Sequence, residues 1–248
     1  IQKYQTILSS RENMIEVVLS ELEEIKEKFG DDRRTELSSD LSAIEDEDLI
    51  PVEDIVISLT KKGYIKRQSP DVFRKQNRGG KGVKGMHLLE DDVVDMLIHS
   101  STHTDVLFFT NLGKVYRIRG YQIPEFGRTS KGLPVVNLLN LDENEKVKSI
   151  ISMDAYDDNH FLFFVTKDGI VKRTTTCEFA SIRQNGKIAI SLKENDELLD
   201  VKHTDGSALI GIGSNHGKMV KFHEADVRSM GRTAAGVKGM NGDGGEVF

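Results

Sequence analysis

The chain has no tryptophan and a single cysteine, and neither absence is neutral. Without tryptophan there is no Trp-Asp signature of a WD-repeat propeller. A lone Cys177 cannot close an internal disulfide, which fits a reducing compartment such as the cytoplasm. No stretch approaches the roughly 18 consecutive apolar residues of a membrane-crossing helix, so no membrane partner is expected. The first residues carry no secretory-leader pattern. The spacing G-x-x-x-x-G-K-[ST] is also missing, which excludes a phosphate loop of that kind.

What the chain does have is an uneven distribution of charge. The net charge of −6 over 248 residues argues at first against a polyanionic partner. Residues 1–54, however, hold 6 cations and 16 acids, whereas residues 55–248 hold 28 cations and 24 acids. An acidic head therefore precedes a mildly basic body, and the average describes neither. Within the head, Ser9 and Glu12 have capping-box spacing, and Ile15, Val18, Leu22, Ile25 and Phe29 recur at steps of three and four. A helix ending near Gly30 is expected, within a first segment of residues 1–36. From Glu36 to Asp54 there are eight acids and no cation. Residues 37–54 therefore read as an exposed acidic linker, either a plain tether or a DNA mimic competing for a basic neighbour.

The most distinctive stretch is Gln76-Asn77-Arg78-Gly79-Gly80-Lys81-Gly82. Glycine allows sharp turns that bare backbone N–H groups, and two cations sit among three glycines. From Lys61 to Lys84 there are nine cations, among them Arg74, Lys75 and Lys84, against one acid, Asp71. Such a loop suits a phosphate backbone held without regard to base sequence.

From Ile55 onward the chain repeats itself. Thr60-Lys61-Lys62-Gly63, Thr110-Asn111-Leu112-Gly113, Thr166-Lys167-Asp168-Gly169 and Ser214-Asn215-His216-Gly217 are equivalent, with glycines 50, 56 and 48 residues apart. Four residues after each glycine stands a cation: Arg67, Arg117, Arg173 or Lys221. Apolar runs flank each glycine, so each unit should open with a hairpin. A second marker follows at Gly82, Gly132, Gly186 and Gly236, with Arg78, Arg128, Arg183 and Arg232 just upstream. Lys81, Lys131 and Lys187 adjoin three of these glycines, and Lys238 lies near the fourth. Further strand-like runs, such as 133–139 and 147–153, give four short strands per unit of roughly 50 residues, the size of a propeller-type blade.

Residues 76–82 resemble the gyrase A-box, Q-[RK]-R-G-G-[RK]-G, of the C-terminal domain of the A subunit of bacterial DNA gyrase. Asn77 stands where that pattern has a cation. Residues 21–35 resemble the closing helix of the same subunit's breakage-reunion domain. The resemblance implies a mainly β fold, a β-pinwheel of four-stranded antiparallel blades over residues 55–248, preceded by an α-helical segment. About four repeats are present, and the last residues fall where another blade would begin, so the expected pinwheel is incomplete. The implied function is to bind and wrap duplex DNA as part of an enzyme that introduces negative supercoils in an ATP-dependent type II topoisomerase reaction. The implied DNA-binding set is Gln76, Asn77, Arg78, Gly79, Gly80, Lys81, Gly82 and Lys84, with Arg67, Arg74, Lys75, Arg117, Arg128, Lys131, Arg173, Arg183, Lys187, Lys221, Arg232 and Lys238. The implied partners are the B subunit and the rest of the A subunit, in a tetramer of two copies of each. No cofactor is expected in this segment. ATP and magnesium belong to the complete enzyme, and the catalytic tyrosine lies upstream. Two alternatives are the topoisomerase IV A subunit, whose similar disc captures DNA segments, and a propeller used as a protein-interaction platform. No metal site is expected: His99 and His103 have helical ligand spacing but fall between strand-like runs.

Overall fold

The computed structural model of the protein describes residues 1–31, 46–73, 92–182, 185–241 and 246–247. The chain divides into two compact units, Ile1–Glu45 and Asp46–Phe248.

In the first unit, α1 (Gln2–Ser9) and α2 (Arg11–Phe29) meet at Ser10. The cap of α2 is Ser10 rather than the expected Ser9: its hydroxyl accepts the Asn13 N–H at 3.2 Å. The Ser9 hydroxyl instead donates to the Thr6 carbonyl within α1. Gly30 closes α2 by donating its N–H to Lys26 at 2.8 Å, without turning left-handed. The apolar stripe exists, and Ile15, Val18, Leu22, Ile25 and Phe29 all lie open. No described helix is long and apolar enough to cross a membrane.

In the second unit the described residues form fourteen strands. They are β1 (Asp54–Thr60), β2 (Tyr64–Gln68), β3 (Val94–Ser101), β4 (Asp105–Thr110), β5 (Lys114–Arg119), β6 (Leu133–Pro134) and β7 (Val147–Met153). Then follow β8 (Phe161–Thr166), β9 (Ile170–Thr175), β10 (Lys187–Ile188), β11 (Leu198–Thr204), β12 (Leu209–Gly213), β13 (Met219–His223) and β14 (Val237–Lys238). The strands form sheets in the orders β3-β1-β2-β6, β10-β5-β4-β7 and β11-β8-β9-β14, with β12-β13 as a fourth. All the pairings between these strands are antiparallel.

The repeat glycines occupy one geometry. Gly63, Gly113, Gly169 and Gly217 have φ of 83°, 72°, 77° and 73°. Each donates its N–H to the carbonyl three residues earlier, at 2.9 to 3.0 Å. This is a tight turn ending in a left-handed residue, which glycine adopts without strain. The hydroxyl at the turn's first position locks the next step, because Thr60, Thr110 and Thr166 accept the N–H of the residue after the glycine.

The apolar runs of β4 and β8 are buried on both faces because the sheets stack, whereas β12 leaves Leu209 exposed. Val106 and Phe108 of β4 pack with Ile55, Ile57 and Leu59 of the first sheet. Their neighbours Leu107 and Phe109 turn the other way, onto Leu162 and Phe164 of the third. Phe163 then faces Ile212 of the fourth. A strand between two sheets alternates its side chains between two cores, so it reads as a continuous apolar run.

The strand expected at 133–139 is only two residues long. At Val135 the chain enters a 3-10 turn that buries Val135 and Leu139. The reason is topological. β6 belongs to the second repeat yet pairs with β2 of the first sheet, Ile65 opposite Leu133. β10 likewise completes the second sheet from the third repeat, and β14 the third sheet from the fourth. Every completed blade takes its last strand from the repeat that follows.

Candidate nucleic-acid interface

One edge of each blade faces the other blades. The Ser100 and Ser152 hydroxyls, on β3 and β7, lie 2.9 Å apart, and Ser149 of β7 donates to the Val201 carbonyl of β11 at 2.9 Å. These strands converge on the unit's middle, which leaves β6, β10 and β14 at the periphery. The loops feeding the exchanged strands therefore lie on the rim, and these are the loops that carry the second sequence marker.

Two of them share a sequence, Gly127-Arg128-Thr129 and Gly231-Arg232-Thr233. Arg128 and Lys131 are exposed before β6, and Lys238 is exposed on β14. Arg232 is half-buried, its guanidinium donating to the Ile188 carbonyl. Lys187 donates to Ser181 at 2.8 Å within its own loop. Lys131 also lies 5.2 Å over the Tyr64 ring. The described counterparts of Gly82 have positive φ and close neighbours. A Cβ would stand 2.4 Å from the Ile65 carbonyl oxygen at Gly132, 2.6 Å from the Tyr116 ring at Gly186, and 2.5 Å from the Val171 carbonyl oxygen at Gly236. The close approach that these glycines permit is to the preceding blade.

Cations four residues after the turn glycines are placed differently. Arg67 donates to the Ile123 carbonyl at 2.7 Å and lies 3.6 Å from Glu125. Arg117 donates to Ala180 at 2.8 Å and to Asp105 at 3.2 Å. Arg173 lies 4.4 Å over the Phe161 ring. Arg67 and Arg117 thus direct their charge at the connection arriving from the next repeat, and Arg173 at an aromatic face of its own sheet. Lys221, the fourth of the set, is exposed on β13. Arg74, Lys75, the 76–82 loop, Lys84 and Arg183 lie outside the described residues.

The sequence reading missed the residue three positions after each turn glycine. Lys66 and Lys172 occupy it in the first and third blades, and both are wholly buried. Lys66 Nζ donates to the carbonyls of Gly127, Arg128 and Ser130 at 3.3, 2.9 and 3.0 Å. Lys172 Nζ donates to Ala189, Gly231 and Arg232 and sits 4.9 Å over the Phe164 ring. Burial pulls both lysines below their ordinary range. For Lys172, burial and then the Arg232 charge bring it down to about 7. In the second blade the position is Tyr116, whose one hydroxyl hydrogen goes to Glu145 at 2.9 Å, with the Asn140 carbonyl 3.2 Å from the same oxygen. The signal was present as an aligned column of Lys, Tyr, Lys and Val220.

Described residues of the acidic segment hold the second repeat's first turn: the Glu53 N–H donates to the Thr102 hydroxyl at 3.0 Å, and the Thr102 N–H donates to the Glu53 carbonyl at 2.9 Å. Glu47, in a 3-10 turn over Asp46–Leu49, lies 3.4 Å from Arg119, and its carbonyl lies 3.2 Å from His103 Nε2. His103 and His99 do not converge: His99 lies 4.0 Å from Asp54. No cluster of three metal-ligating side chains occurs among the described residues.

A family model described as DNA gyrase C-terminal domain, beta-propeller, matches residues 54–100, 104–152, 160–205 and 212–247, one segment per repeat. The DNA gyrase A subunit of Halalkalibacterium halodurans is 48% identical over 97% of this chain, which spans 29% of that relative. Its counterpart in Staphylococcus aureus (strain Mu50) is 48% identical over 97% of this chain and 27% of its own length. The chain thus covers under a third of these relatives. Among solved structures, the C-terminal domain of DNA topoisomerase IV aligns with a TM-score of 0.68 at 28% identity, over 80% of this chain and 60% of that one. A DNA gyrase A C-terminal domain aligns with a TM-score of 0.62 at 29% identity, over 78% and 63%.

Proposed function

The chain belongs to the DNA gyrase C-terminal domain family, and from that premise we propose that it is the DNA-wrapping segment of a gyrase A subunit. Duplex DNA runs along the periphery of the β-pinwheel and is held through its phosphates. The observation that carries this reading is the recurrence of cations at equivalent exchange loops: Arg128 and Lys131, Lys187, then Arg232 and Lys238. Cations repeated along a curved edge hold a bent duplex without reading bases. Gln76–Gly82, with Arg74, Lys75 and Lys84, extends the set on sequence grounds, as does Arg183. The segment works in the cytoplasm with the B subunit and the rest of the A subunit. ATP, magnesium and the strand-cleaving tyrosine act elsewhere in that assembly.

Wrapping leaves a topological record. Nicked circular DNA ligated with the protein bound should retain a positive linking change on deproteinisation. Binding with no linking change would overturn wrapping. It would favour the topoisomerase IV mode of segment capture, which the 0.68 TM-score to that domain makes the second reading. Failure to bind duplex DNA at low salt would leave a protein-interaction module.

A further inference from the structure

We propose that Lys66 and Lys172 are positioning residues for the rim: each buried amino group draws the carbonyls of a Gly-Arg-Thr loop inward and thereby presents that loop's amide hydrogens, beside its arginine, to a phosphate. The inference rests on the reading of these loops as phosphate sites.

Peptide geometry decides where the amide hydrogens go. In a planar trans peptide the carbonyl and the next residue's N–H point in opposite directions, and no described peptide bond is cis. Lys66 collects the carbonyls of Gly127, Arg128 and Ser130 at 2.9 to 3.3 Å. The N–H groups of Arg128, Thr129 and Lys131 must then face away from the buried amino group, and all three residues are exposed. Lys172 repeats this with Gly231 and Arg232, which turns the N–H groups of Arg232 and Thr233 outward. Backbone N–H groups grouped beside a guanidinium form an anion-binding concavity.

Differences between the blades separate this role from plain core filling. The first and third blades place lysine beneath the incoming loop, and both of those loops read Gly-Arg-Thr. The second blade has Tyr116 there, and the incoming loop reads Ser181-Ile182-Arg183 instead. Tyr116 bonds Glu145, and its ring fills the space against Gly186. A phenol therefore suffices to pack the site. Lysine occurs where three carbonyls must be held, and its ammonium supplies three donors and no acceptor. Burying that charge is costly unless its donors are used, which explains why the loop folds around the lysine.

The test measures duplex affinity against salt at pH 6.0, below the value near 7 to which burial brings Lys172. It compares the unaltered chain, Lys66→Met/Lys172→Met and Arg128→Ala/Arg232→Ala. The buried lysines touch no phosphate, so plain charge loss predicts no change in salt slope. Positioning predicts that the lysine pair flattens the slope of log affinity against log salt by about 1.8, one phosphate per loop at roughly 0.9 each. That matches the arginine pair, and combining all four changes should add little. A folded lysine variant with the unaltered slope, beside a flattened arginine variant, overturns the positioning role and leaves the phosphate reading intact. An unaltered slope in the arginine pair, in a chain that still binds duplex, overturns the phosphate reading of these loops. If the lysine variant does not fold, amide exchange on the unaltered chain decides. Duplex DNA should slow exchange at Arg128, Thr129, Lys131, Arg232 and Thr233, and unchanged exchange there overturns the proposal.

Discussion

Gly132→Ala should loosen one blade edge while Gly127→Ala, five residues away in the same loop, should not. Gly132 has a φ of 85°, and a Cβ there would lie 2.4 Å from the Ile65 carbonyl oxygen and 2.9 Å from its carbon. Ile65 is wholly buried on a strand paired on both sides, so β2 cannot retreat. The left-handed backbone alone costs an L-residue about 1–2 kcal/mol. Relieving the clash means backing β6 away, which surrenders the pairing of Leu133 with Ile65 and the 2.8 Å bond from Val135 N–H to Gly63. At about 1 kcal/mol per hydrogen bond, the total reaches roughly 3–5 kcal/mol. For a unit of this size that lowers the melting temperature by about 10 °C. Gly127 has no positive φ, and nothing lies within 4 Å of where its methyl would stand, so its alanine should shift stability by less than about 0.5 kcal/mol. Denaturant melts of both variants, with amide exchange at Tyr64 and Ile65, would distinguish them. Equal melts, or a Gly132→Ala variant whose β2 amides stay protected, would refute the account of the exchange.

Lys172 should make stability depend on pH. The unfolded chain holds its proton up to about 10.5 and the folded chain sheds it near 7, because burial and Arg232 outweigh the opposing Glu178. Between those values folding releases a proton, so the unaltered chain should gain stability over Lys172→Met as pH rises, by up to about 1.4 kcal/mol per unit; a constant difference between pH 7 and 9.5 would show that the proton stays. Neutralising Glu45, Asp46, Glu47 and Asp48 should tighten duplex binding at low salt, with Arg119 released from Glu47. That gain should fade as the Debye length shrinks below about 10 Å, and unchanged affinity would leave the segment a tether. Arg78→Ala/Lys81→Ala should flatten the salt slope by about 1.8 and abolish negative supercoiling by the assembled enzyme while relaxation continues; intact supercoiling would remove the loop from the wrapping path.

The sequence declared the repeats because each hairpin devotes about a dozen residues to one local rule. The Thr60-to-Gly63 turn and its three copies are specified by glycine conformation, and the first three also by a threonine hydroxyl, both visible in the letters. Runs such as Val106–Phe109 announced a hairpin strand, and the stacked sheets then bury it on two faces. The exchange was illegible because β6, β10 and β14 are two residues long. No periodicity can be read from two residues, and which blade they join is set by Gly132, Gly186 and Gly236 crossing against a neighbour distant in sequence. The role of Lys66 was hidden for a related reason. A lysine beside Arg67 in a basic stretch reads as solvated, and only the arrival of the 127–130 carbonyls, more than 60 residues later, makes its burial tolerable.

The exchange also bears on how a rim of this kind could hold bent DNA. Bending 20–30 base pairs through 40–90° costs on the order of 1–6 kcal/mol, and the phosphate grips must bear that load without yielding. A cation on an ordinary hairpin loop would pull on one sheet. Arg128 and Lys131 sit between the second repeat, which carries them in sequence, and the first sheet, which takes up β6 and supplies Lys66. Arg232 is likewise tied to the third sheet through β14 and Lys172. Tension on either loop is therefore shared by two blades whose cores interlock through Ile57 and Phe108, or through Phe163 and Ile212. The same strand exchange that closes each sheet ties each charged loop to two blades, so a duplex wrapped as proposed would load both blades at every grip.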